Sequence, residues 1–148
     1  MITRRKFDMR ISTRFSIAIH ILSLVGAEFE SEPTSEWIAG SVGVNPVVIR
    51  TISGMLRRAG LVTSSQGKAG TSLAKPLDQI TLLDVYRAVD AEDGIFAMHE
   101  NPNPECPVGA NIQDALETVF LDAQRAMEAR LQETTIQDLV KQLVGNSI

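Results

Sequence analysis

The chain has 148 residues, 44% of them hydrophobic and 22% charged, with a formal net charge of −4. That composition fits one globular domain, or one domain with an oligomerisation arm, and it excludes a disordered chain. No apolar run reaches the roughly 18–20 residues of a membrane span; the longest, Ile17–Val25, reads instead as a buried helix of a cytoplasmic protein.

Ser12 or Thr13 can cap a first helix running to about Gly26, with Phe15, Ala18, Ile19, Leu22 and Val25 as its core stripe and His20 packed among them. Ser35 is expected to cap a second helix, Glu36 to Val42, which Trp37 anchors against the first and Gly43 ends. Asn45-Pro46 restarts the helix, with an Asx N-cap followed by proline at the first helical position. This third helix runs to Ala59, and Gly60 stops it. Ile49, Ile52 and Leu56 face inward, while Val47, Arg50, Thr51 and Gly54 lie opposite. With three residues between them, the second and third helices must cross steeply, as in a helix-turn-helix.

Leu61–Ser65 and Thr71–Ala74 read as strands joined by the turn Gln66–Gly70, a wing with Lys68 at its tip. Thr81 caps a fourth helix, Leu82 to Val89, with Asp84 in its first turn. Gly94–Gly109 is a loop rich in proline and asparagine. Asn111 then caps a long helix to about Gln132. Leu116, Phe120, Ala123, Met127 and Leu131 run along one side of it, and Ile112, Val119 and Ala126 broaden the stripe. Thr134 and Gln137 have capping-box spacing for a short last helix ending near Gly145.

The fold class is therefore mainly α: a winged helix-turn-helix with a two-stranded β wing and a long C-terminal helix, read as a dimerisation helix against the alternative that it folds back on its own core. The expected organisation is a DNA-binding domain over residues 9–90, a sensor loop over 91–110 and dimerisation helices over 111–148. Charge agrees with this order. Residues 1–75 carry a net +5 and residues 76–148 a net −9, so one half can face phosphates while the other faces away. No Ser/His/Asp constellation, zinc-protease motif or phosphate-binding glycine loop is present, and the two histidines are unpaired by pattern. An enzyme is not expected.

Four segments carry a family resemblance: Ser12-Thr13-Arg14, Ile38-Ala39, Leu56-Arg57-Arg58-Ala59-Gly60-Leu61-Val62, and Ile80-Thr81-Leu82-Leu83-Asp84-Val85. From Met9 to about Val144 the chain resembles the bacterial Rrf-type winged-helix regulators. These include an iron–sulfur cluster regulator, a nitric-oxide-sensing repressor and a cysteine-metabolism repressor. The resemblance implies a homodimer that binds a double-stranded, palindromic operator, acting as a repressor. Asn45, Val47, Arg50 and Thr51 would face base edges. Ser35, Arg57, Arg58 and Lys68 would meet phosphates or the wing groove, and Ser12 and Arg14 the DNA backbone.

The departures from the family pattern are specific. Gln66 stands where family wings often carry arginine, Thr71 replaces a glycine and Ser72 a tyrosine. Arg50 stands where many members carry glutamate, and arginine prefers guanine O6/N7 whereas glutamate accepts from cytosine N4. Cluster-bearing members place three cysteines in the loop before the long helix. This chain has only Cys106 there, and one thiolate cannot hold a cluster, so no metal and no iron–sulfur cofactor are expected. The loop from His99 to Gly109 resembles the cluster-free branch, in which some members sense oxidants through this cysteine.

Two uses of Cys106 stand open. It is a packed small hydrophobe, as most lone cysteines are, or a redox sensor whose products are a sulfenic acid, a mixed disulfide with a small thiol, or a Cys106–Cys106 bridge. The alternative regulator of the protein is a small metabolite or a protein partner, with Cys106 structural.

Overall fold

The structure is a computed structural model that describes residues 12–27, 33–64, 70–90 and 102–146. Helix α1 (Ser12–Val25) is the centre of the molecule. Helices α2 (Ser35–Val42), α3 (Pro46–Arg58), α4 (Leu82–Val89) and α6 (Ile136–Asn146) all pack against it. This explains why its burial departs from the expected stripe. Ile17, Ala18, Ile21, Leu22 and Val25 are buried, whereas Phe15 and Ile19 are only partly so. A helix covered from several directions buries most of its circumference.

Local caps set the element ends. Thr34, one residue before the expected Ser35, is the N-cap of α2; its hydroxyl accepts from Trp37 N–H at 3.1 Å. Gly43 ends α2 at φ 86°, a left-handed conformation that favours glycine. Asn45 caps α3 as expected, with Pro46 at its start, and Gly60 follows at φ 79°. Ile49, Ile52 and Leu56 seat α3 in the core. Gly54, expected on the outer face, is buried instead, as is Ser53.

Strands β1 (Val62–Thr63) and β2 (Ser72–Leu73) pair antiparallel, with Val62 opposite Leu73 and Thr63 opposite Ser72. The wing tip with Lys68 lies outside the described residues. A 3-10 turn over Leu77–Gln79, which no sequence rule flagged, plugs Leu77 into the core ahead of α4.

Helix α4 opens on a full capping box. Thr81 Oγ1 accepts from Asp84 N–H at 3.1 Å, and Asp84 Oδ2 accepts from Thr81 N–H at 3.0 Å. Thr81→Ala is expected to cost about 1–2 kcal/mol, read from the urea midpoint at unchanged slope. Helix α5 (Pro107–Gln132) begins five residues before the expected start, its cap at Cys106 and not Asn111. Pro107 occupies its first position and Cys106 its N-cap, while Asn111 sits inside the helix and donates to the Pro107 carbonyl at 2.7 Å. The cap of α6 is shifted by one residue: Thr135 and Asp138, not Thr134 and Gln137, exchange the reciprocal hydrogen bonds.

Helix α6 returns to the main core. Ile136 is fully buried, its N–H donates to the Ile80 carbonyl at 2.9 Å, and Leu82 N–H donates to the Thr134 carbonyl at 2.9 Å. The 3-10 turn, the start of α4 and the start of α6 are thus tied together at the backbone.

Candidate nucleic-acid interface

The helix-turn-helix presents one consistent outer surface. Val47, Arg50 and Thr51 are exposed on α3, directly opposite the residues that bury it. A large apolar side chain such as Val47, 62% exposed on a helix whose other face is fully packed, has no role in the core. Arg50 Nη2 lies 3.4 Å from Glu36 Oε2, which places the first turn of α2 beside the exposed face of α3. Ser35 belongs to that first turn and is half-buried. The first turn of α2 and the second turn of α3 therefore share one exposed surface. Arg57 and Arg58 are exposed in the last turn of α3.

Two expected site residues have duties inside the fold. Asn45 Oδ1 accepts from Val47 N–H at 2.8 Å, so its oxygen is committed to the cap. Arg14 donates to Asp90 Oδ1 from Nε at 3.0 Å and from Nη2 at 2.7 Å. The Asp90 side chain is 0% exposed and that of Arg14 is 37% exposed. The structure brings Arg14 to the C-terminal end of α4, a pairing that no local pattern announces. The side chain of Ser12 lies outside the description. Trp37, expected as an anchor between α1 and α2, is 47% exposed. His20 is partly buried between the same helices, its Nε2 3.4 Å from Ser41 Oγ.

Cys106 is exposed, not a packed hydrophobe. As the N-cap of α5 it lies against the first turn, where the Gly109 N–H, followed by the Val108 N–H, holds its thiol below the ordinary range. These amides favour the thiolate electrostatically, without a formal side-chain cap in the thiol form. The turn is tightly built. Asn103 accepts from Glu105 N–H through Oδ1 at 2.9 Å and from Cys106 N–H through its carbonyl at 3.3 Å. A Cβ added at Gly109 would collide with that carbonyl oxygen. Alkylation of Cys106 by iodoacetamide should therefore titrate at lower pH than that of a free thiol, and Gly109→Ala should move the midpoint back up. Folding lowers this pKa, so ionisation favours the folded state in full above the unfolded pKa, and that gain is lost as pH falls through the folded value. At neutral pH the readout is reactivity.

Helix α5 buries none of its residues against the rest of the chain. One edge leans on α4: Gln124 Nε2 donates to Tyr86 OH at 2.9 Å, and Arg87 approaches Glu128 at 3.8 Å. Val108, Val119 and Ala126 lie exposed on another part of the helix, with Ile112 half-exposed beside them.

Comparison with known proteins matches residues 11–142 to the Rrf2 family, described as iron-dependent transcriptional regulators. The chain belongs to the Rrf2 family. It is 47% identical over 133 residues to YwnA of Bacillus subtilis (strain 168), described as a candidate HTH-type transcriptional regulator; the match spans 90% of this chain and 98% of YwnA. A solved structure described as a candidate DNA-binding protein is 42% identical, with a TM-score of 0.70, over 86% of this chain and 98% of its own. CymR (YrzC), the global cysteine regulator of B. subtilis, shares the fold at 24% identity and a TM-score of 0.65, over 90% of this chain and 97% of its own. This Rrf2 chain is a DNA-binding transcriptional regulator with a mainly helical winged-helix fold.

Among the described residues the iron of the family description meets no converging donor set. The chain has one cysteine and two histidines, and among the described residues no group of three or more His, Cys, Asp or Glu side chains is placed to hold a metal ion. Cys106 stands exposed at a helix cap. An iron–sulfur cluster needs several thiolate or imidazole ligands converging on one point. Among the described residues no helix is long and apolar enough to cross a membrane.

Proposed function

We propose that this chain is a cytoplasmic, homodimeric repressor that binds a palindromic operator without an iron–sulfur cluster. The observation that carries the reading is α5: a 26-residue helix with no buried residue and an uncovered apolar edge of Val108, Ile112, Val119 and Ala126. A second copy of the same edge, related by a twofold axis, covers it and closes the assembly. The same axis sets two α3 helices in successive major grooves. Val47, Arg50 and Thr51 then meet base edges, with the amide of Asn45 beside them. Ser35, Arg57, Arg58 and Lys68 meet phosphates, and Arg14 serves the fold. Occupancy of the operator excludes polymerase, which is repression.

We further propose that Cys106 is the switch. Its exposure and its position on the helix amides favour a reactive thiolate. Attack on a peroxide breaks the O–O bond, leaves a sulfenic acid on sulfur and, with one proton, releases water. A small thiol then condenses with the sulfenic acid, forming a mixed disulfide and a second water. Either product adds bulk at the hinge between the DNA-binding module and α5.

The test is a mobility shift on DNA upstream of the protein's own gene, with reduced and with peroxide-treated protein. Binding should fall steeply with salt, because phosphate contacts release counterions. Oxidation should abolish it, thiol should restore it, and Cys106→Ser should be indifferent to oxidant. Binding that ignores oxidation in the wild type makes Cys106 structural and assigns control to a metabolite or a protein partner.

A further inference from the structure

Glu36 is out of place on a surface built for phosphates. It lies in the first turn of α2, exposed, beside the face of α3 that the proposed function turns toward DNA. A carboxylate there repels the DNA backbone and weakens binding to any sequence. It is also firmly mounted. Thr34 caps its helix, Ile38 and Ala39 anchor that helix in the core, and Gly43 and Asn45 fix the turn into α3. Among the described residues it meets Arg50, at 3.4 Å between Oε2 and Nη2. Both side chains are more than half exposed, so the pair contributes almost nothing to folding. The contact makes sense as control of the guanidinium.

We propose that Glu36 is a positioning residue that determines specificity by orienting Arg50 for guanine. A free arginine side chain carries substantial rotamer entropy, and holding it before DNA arrives lowers the cost of the bidentate contact to guanine O6 and N7. Through Nη2 alone, Glu36 occupies one corner of the guanidinium and leaves the other edge for a base. The same carboxylate penalises encounters in which Arg50 only touches phosphate. Affinity for random DNA is thereby exchanged for discrimination.

This inference rests on the reading that Arg50 meets base edges, and the test separates the two. A consensus is selected with wild-type protein from random-sequence duplexes, and each position is then substituted in competition binding. Arg50→Ala locates the guanine that Arg50 reads. Glu36→Gln should lower discrimination at that same position by about 3- to 10-fold, within the coupling expected for residues in contact, while tightening binding to a random duplex. Glu36→Asp keeps the charge but withdraws it by one methylene, so it should lose discrimination as Glu36→Gln does. In the Arg50→Ala background, Glu36→Gln should change discrimination no further.

Three results overturn the proposal. Wild-type discrimination in Glu36→Asp would show that charge alone matters. A loss of preference at a position that Arg50→Ala leaves intact would make Glu36 a base reader itself. Unchanged preference in Glu36→Gln while Arg50→Ala alters it would remove Glu36 and keep Arg50. If Arg50→Ala itself leaves every base preference unchanged, the reading of Arg50 fails first and Glu36 has nothing to position.

Discussion

Val119→Glu should leave a folded protomer and abolish its pairing. Val119 is 60% exposed on α5, so a carboxylate there meets water in the isolated chain and costs little stability. At a twofold seam the same carboxylate faces an apolar surface and its own copy, and burying it without a partner is prohibitive. Sedimentation should report a monomer with an unchanged circular dichroism spectrum. Operator affinity should fall by about 10²- to 10⁴-fold, the advantage that linking two half-site contacts provides. A variant that remains dimeric and binds normally would place the seam elsewhere.

The second large effect is expected from the pair between α1 and the end of α4. Arg14→Met removes the guanidinium that meets a fully buried Asp90 carboxylate through two N–H groups. Losing one partner of a buried pair costs about 3–5 kcal/mol. The lower figure is expected here because the Arg14 side chain is 37% exposed. For a chain of this size, about 3 kcal/mol lowers Tm by roughly 6–12 °C. The variant should nonetheless keep the wild-type salt slope of DNA binding. A phosphate-contacting Arg14 predicts the reverse, a small change in Tm and a slope reduced by about one.

These two predictions stand at different distances from the sequence. The turn of the helix-turn-helix was legible because its rules are local: Asn45-Pro46 starts a helix, and Gly43 and Gly60 end two. Caps slipped by one residue where neighbouring hydroxyls competed, as Thr34 beside Ser35 and Thr135 beside Thr134. The start of α5 was hidden because Pro104 and Pro107 read as loop, although proline suits the first turn of a helix. The same shift moves Cys106 from a loop near the helix start to the cap itself. Arg14 and Asp90 lie 76 residues apart and Glu36 and Arg50 lie 14 apart, so only the folded chain could pair them. The apolar stripe of α5 was legible, with Ile112, Val119 and Ala126 at its margin and Val108 outside it. Its division into an edge on α4 and an edge left open was not, because periodicity counts apolar residues without saying which neighbour covers them.

Two copies of α3, set by the α5 seam, are expected to read a symmetric operator. The most direct test is selection of bound sequences from a random duplex library by the wild-type protein. The expected result is a palindromic consensus whose half-sites lie about one helical turn apart, or a multiple of it, with a guanine in each half-site whose preference disappears in Arg50→Ala. A consensus without twofold symmetry, or no enrichment at all, would contradict it.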